Sequence, residues 1–259
     1  MNRRLFNLNL IKYEFRNIKG NIFTIIFGIF FPIFMTSFLG ATAMRNISED
    51  FRQQAITKLV ISCSTIIPMA SVLVGYAATF SQVLEKNAPL RFKLFGYKER
   101  EIFISKLIAE LILVTISLIL YFVVDYFTLK YELPNFGAAI ILTITIYILT
   151  IIFFVFAHGI ALLFKKFAPT FSVTMIIYFG MMILSGLFGV EPDNFPKLIR
   201  NLAYCFPTTY IKVDFYCLWK GDSYNAAPFI QSIILSAVLS VLVIMYAFYK
   251  NNRNLAGKR

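Results

Sequence analysis

From Phe136 to Phe164 the chain runs for 29 residues without an aspartate, glutamate, lysine or arginine. A straight helix of that length measures about 43 Å at 1.5 Å per residue, more than the roughly 30 Å hydrocarbon core of a bilayer. The run therefore has to tilt, or let its Ala157-His158-Gly159 end emerge into the headgroups. Five further stretches reach the length of about 20 mostly apolar residues that a crossing needs: Ile22–Thr42, Leu59–Phe80, Leu107–Phe127, Phe167–Gly189 and Ala226–Tyr249. Pro32 and Pro68 fall inside the first two, where neighbouring groups can re-satisfy the carbonyls they free. Composition agrees: 59% of the 259 residues are apolar, 15% are charged and mean hydropathy is +0.73, against roughly 45–50% and about 25% in soluble domains. The expected fold class is an all-α polytopic membrane protein with six transmembrane helices.

Lys and Arg set its orientation, because cytoplasmic loops carry their excess. With the N-terminus inside, seventeen of the 25 basic residues fall on cytoplasmic segments and eight outside. Both termini are then cytoplasmic, and the net charge of +12 reads as topology rather than as a nucleic-acid surface. Ala41-Thr42-Ala43 has the form of a signal-cleavage site, but the apolar run before it exceeds the roughly 7–15 residues of an h-region; it reads as an anchor. Cys63, Cys205 and Cys217 lack metal-ligand spacing. Cys205 and Cys217 fall on the same outer segment, where spacing alone leaves a disulfide open.

Three segments outside the spans carry chemistry. Residues 1–21 place Leu5, Leu8, Phe15 and Ile18 at helical spacing among basic residues, the layout of an interfacial helix. Its Arg4, Lys12 and Arg16 would meet anionic headgroups, with Tyr13 and Phe15 among the aromatic residues that a mere basic leader would not need. Residues 81–106 form a cytoplasmic segment longer than a helical hairpin requires. Leu90, Phe92, Leu94, Phe95 and Tyr97 alternate there with Arg91, Lys93 and Lys98, a pattern suited to docking on a partner or to lying on the membrane, docking being the sharper reading. The third segment, 185–210, leaves the fifth span through Ser185-Gly186 and is punctuated by Pro192, Pro196 and Pro207. A tail, 251–259, follows the six-span domain of residues 22–250. Ionisable residues at membrane depth ask for a functional reason. Glu110 follows Lys106 by one turn and is expected to pair with it. Asp125, near the outer end of the same helix, is expected to reach water, and His158 to pack as a neutral ring.

In this order the features resemble the permease subunits of ABC-2 type transporters. The most specific matches are Leu184-Ser185-Gly186, Phe195-Pro196, Leu198, Leu202-Ala203 and Phe206-Pro207-Thr208-Thr209-Tyr210. Glu85-Lys86 resemble the acidic-basic pair that follows the second span, and Ser105-Lys106 the entry to the third, whereas Asn87-Ala88 replace the family's small turn. The resemblance implies that Glu85, Lys86, Leu90, Arg91, Phe92, Leu94, Phe95 and Tyr97 couple to an ATPase. It also makes Ser185, Gly186, Pro196, Pro207 and Tyr210 an outer gate. The chain has no G-x-x-x-x-G-K-[ST] phosphate loop, and Leu184-Ser185-Gly186 does not continue into the ATPase signature that it superficially opens. The chain itself is therefore not an enzyme and binds no cofactor; ATP and Mg belong to a partner.

The implied protein is the transmembrane half of an exporter in a bacterial plasma membrane. Its implied partners are a cytoplasmic ATP-binding cassette ATPase, a second permease copy or sibling, and membrane lipids, with no nucleic acid. Spans rich in Phe, Ile and Leu suit an amphipathic or apolar cargo such as a peptide, antibiotic or drug. Two readings compete. A scaffold or sensor without transport is compatible with the composition, and an intramembrane enzyme would need a partner for His158 that no motif supplies.

Overall fold

The computed structural model describes residues 8–43, 48–86, 89 and 94–256. Among the described residues every regular element is a helix. Helix α1 (Leu8–Lys19) turns Leu10 and Glu14 inward, one turn apart, and ends with Arg16 and Lys19 in its last turn, where cations complement the helix dipole. After Gly20 the chain re-enters helix as α2 (Ile22–Ile25), passes through a π-helical stretch (Ile26–Phe30) and continues as α3 (Phe31–Ala43). The wider stretch directly precedes Pro32. Phe31 N–H bonds back to Ile26 O, so the ladder has already shifted register where the proline lacks a donor.

The second apolar stretch is built in the same way. Helix α4 (Glu49–Ser64) breaks at Thr65 and resumes as α5 (Ile66–Pro68). An eight-residue π-helical stretch (Met69–Tyr76) follows, and then α6 (Ala77–Glu85). Around the break the hydroxyls of Ser64, Thr65 and Ser71 bond to carbonyls three or four residues earlier, taking acceptors that the distorted ladder leaves open. The two π-helical stretches lie against each other. A Cβ on Gly28 would stand 2.8 Å from Ser71 Cβ, so only glycine permits this approach. The stretch from Phe51 to Glu85 is the axle of the bundle, 94% of its most apolar window being buried by the other helices.

Around the axle stand α7 (Glu99–Leu129), α8 (Phe136–Phe164), α9 (Phe167–Leu184) and, after three short helices, α13 (Ala227–Ala256). Helices α7 and α8 both stop on a lysine in the left-handed conformation, Lys130 (φ 52°) and Lys165 (φ 54°), each a cation at a helix C-terminus. Helix α13 packs along α8, closely enough that a Cβ on Gly159 would meet the Ile244 backbone at 3.0 Å. Among the described residues, five helices are long and apolar enough to cross a membrane: Phe51–Glu85, Glu99–Leu129, Phe136–Phe164, Phe167–Leu184 and Ala227–Asn251. The first apolar stretch is a shorter helix, Ile26–Thr42. The fifth run ends as a helix at Leu184, five residues short of its sequence-expected limit, because the chain turns at Ser185-Gly186.

Candidate functional site

The bundle has two chemically distinct ends. At one, α1 lies across the start of α7, the Glu85 carboxylate accepts the Phe167 N–H at 3.1 Å, and Asn251 Nδ2 donates to Leu162 O. At the other, Glu132 N–H donates to the Thr57 hydroxyl, and the segment after Ser185 folds over the helix termini.

Beneath α1 sits a buried charge cluster. Lys106 Nζ donates to Glu14 Oε2 at 2.7 Å, and both side chains are over 90% buried. Glu14 Oε1 and Glu110 Oε2 are buried with no hydrogen-bond partner. Spacing assigned Lys106 to Glu110, its neighbour one turn on. The structure gives its hydrogen bond instead to a residue 92 positions earlier, because α1 inserts Glu14 into the same pocket. Lys106 Nζ also stands 5.7 Å from the Phe80 ring. Phe80 stacks on His158 at 4.4 Å, and Phe103 meets that imidazole edge-on at 4.9 Å. The Tyr76 hydroxyl and His158 Nδ1 share a 2.7 Å hydrogen bond. One cluster therefore ties α1 to three helical stretches of the bundle through an ion pair, a ring stack and a phenol–imidazole bond. Sequence reading placed His158 among packing residues but had no signal for Glu14, which it passed over.

Of the residues expected to couple to an ATPase, those that are described lie at the same end as Glu85. Leu94 and Phe95 are 88% and 78% exposed, Lys86 is exposed, and Tyr97 is half-buried. Leu90, Arg91 and Phe92 lie outside the described residues, as does Arg4 of the expected interfacial set. Lys12, Tyr13 and Arg16 are exposed on α1, and Phe15 is half-buried under Lys19 Nζ, 4.9 Å from its ring. An open groove of about 610 Å³ runs between α1 and the start of the first apolar stretch, lined by Tyr13, Arg16, Asn21 and Gln82 among others.

At the opposite end the segment after α9 is a clasp. The Ser185 and Thr208 hydroxyls hydrogen-bond to each other. Gly186 adopts φ +74°, and a Cβ there would meet Val190 O at 2.6 Å, so the turn requires glycine. Its carbonyl accepts from Lys212 Nζ at 2.6 Å, and the same ammonium pairs with Glu191 at 3.3 Å. A 3₁₀ turn (Pro192–Asn194) leads to α10 (Lys197–Ala203), α11 (Pro207–Val213) and α12 (Phe215–Lys220). Pro196 and Pro207 each stand at a helix start, where a missing N–H costs nothing. Thr209 Oγ1 donates to Ala203 O, and Tyr204 donates to Asp193 at 2.8 Å. Burial first, and then its bond to Asp193, push the Tyr204 phenol up to about 12. Tyr210 meets Tyr204 edge-on at 5.4 Å. Trp219 Nε1 donates to Glu132 O at 2.7 Å, tying the clasp to the α7–α8 connection. Cys205 and Cys217 are free thiols.

Asp125 does not reach water: it is fully buried. One turn before it, the Tyr121 hydroxyl donates to Val60 O at 2.8 Å and bonds the Thr36 hydroxyl at 2.9 Å. Among the described residues no group of three or more His, Cys, Asp or Glu could hold a metal ion.

Long apolar helices and an all-helical fold define a multi-pass membrane protein. The profile of the ABC-2 type transporter family matches residues 7–213, and the chain belongs to that family, as its membrane permease rather than its ATPase. No curated protein matches it.

Proposed function

We propose that the chain is the permease of an ABC exporter, crossing the membrane six times with the α1 end and both termini in the cytoplasm. A separate cassette ATPase docks on Leu94, Phe95 and the flanking 85–97 segment, and on α1. Closure of that ATPase moves α1 and the segment as levers. A second copy or a sibling completes the pathway, the clasp of Ser185, Gly186, Pro196, Pro207 and Tyr210 gates the far side, and the cargo is an amphipathic or apolar peptide, antibiotic or drug.

The family match over residues 7–213 supports the permease reading, and the buried Glu14–Lys106 pair supports the role given to α1. An amphipathic helix that only floats on headgroups keeps its charges in water; this one spends a carboxylate on the bundle interior. The pair, with the packing of α1 along the start of α7, joins the two helices, so a displacement of α1 is felt at α7. The exposed Leu94 and Phe95 lie at the same end, ready for a protein surface.

Co-expression with its ATPase in a host stripped of drug exporters tests the cargo class. Lower accumulation of an amphipathic peptide or lipophilic dye is expected with the wild type and not with Phe95→Asp. Equal accumulation with both contradicts the proposal.

A further inference from the structure

The cluster under α1 holds one lysine and two acidic side chains. Glu14 arrives from α1, whereas Lys106 and Glu110 both belong to α7, one helical turn apart, and both are buried. Side chains so spaced have Cβ atoms about 5–6 Å apart, within the sweep of a lysine's four-carbon stem. In the state described here Lys106 is committed to Glu14 at 2.7 Å, while Glu110 Oε2 lies buried without any hydrogen bond. A buried carboxylate oxygen left idle beside a buried ammonium asks for an explanation.

We infer that Glu110 is a positioning residue, the second station of Lys106: when α1 withdraws Glu14, the ammonium swings to Glu110 and the bundle keeps its ion pair. Without Glu110, lifting α1 would strand a desolvated lysine, the costly outcome for any broken buried pair. With it, the charge is paired at both ends of the stroke and barred only between them. The contact becomes a two-position latch, a bistable element of the kind that conformational coupling requires. Phe80, whose ring lies 5.7 Å from Nζ, offers its π-face to the cation, and through its stack on His158 it connects the latch to α8. The inference rests on the reading that α1 moves during the cycle, but its test does not.

Thermal unfolding of the full chain in lipid nanodiscs is compared for wild type, Glu14→Gln, Glu110→Gln and the double variant, with hydrogen exchange read over α1. Glu14→Gln is expected to speed exchange in residues 8–19 yet lower the melting temperature little, because Lys106 finds Glu110. Glu110→Gln is expected to leave α1 protected and also to cost little. The double variant strands the lysine and is expected to lose more than the sum of the two single shifts, the non-additivity of groups that share a partner. Additive shifts, or a Glu14→Gln loss equal to that of the double variant, overturn the inference. If the double variant does not fold, adding Lys106→Met removes the stranded charge and is expected to restore folding; a triple variant that also fails overturns it. An α1 that stays protected in the ATP-bound complex, together with a non-additive cycle, would sink the lever reading while leaving the second station in place.

Discussion

Lys106 is the cation of the buried cluster under α1. Lys106→Met leaves Glu14 and Glu110 buried without a cation. The expected loss, about 3–5 kcal/mol of stability, is measurable as a lower melting temperature, with α1 amides exchanging as if undocked. At the other end, Ser185→Ala deprives the buried Thr208 hydroxyl of its partner, and an unsatisfied buried group costs about 1–3 kcal/mol. Urea titration of the solubilised chain reads this loss. Ser185→Thr, which keeps the hydroxyl, is expected to recover part of it. Sequence reading singled out Ser185 because a turn at Ser-Gly is a local event, spelled by adjacent letters. It assigned Lys106 to the wrong carboxylate because local spacing is all that a sequence displays; the true partner is 92 positions away. Asp125 was misjudged for a related reason: its depth depends on how the first and second apolar stretches pack over it.

Among elements, the apolar runs were legible because hydrocarbon solvent demands length and composition before anything else. Their ends were less so. The second run extends from Phe51 to Glu85, beyond its expected limits at both ends, because polar residues such as Gln82 and Glu85 continue a helix that the bundle already supports. The π-helical stretches at Ile26–Phe30 and Met69–Tyr76 left no mark on hydropathy beyond their nearby prolines. Their mutual contact is tight, so Gly28→Leu is expected to destabilise by about 1–3 kcal/mol through overpacking against Ser71. Size-exclusion profiles and melting of Gly28→Leu against Gly28→Leu, Ser71→Gly check this. The second change removes the struck side chain and is expected to return part of the loss.

At the scale of the whole molecule, the chain has one end built from ion pairing and exposed apolar side chains and another built as a hydrogen-bonded clasp. The orientation proposed from its basic residues places Cys217, an exposed free thiol on the clasp, outside the cell. A membrane-impermeant maleimide is therefore expected to label a Cys205→Ala variant in intact cells, since the remaining Cys63 is buried. Labelling only after permeabilisation reverses the topology. The most direct test of the central claim, that this permease is driven through its α1 end by a separate ATPase, is affinity purification of the tagged chain in mild detergent beside a Leu94→Asp, Phe95→Asp variant. The account predicts a stoichiometric cassette ATPase with the wild type, and its loss with a variant that still inserts and folds. No ATPase with the wild type, or equal recovery with both, would contradict it.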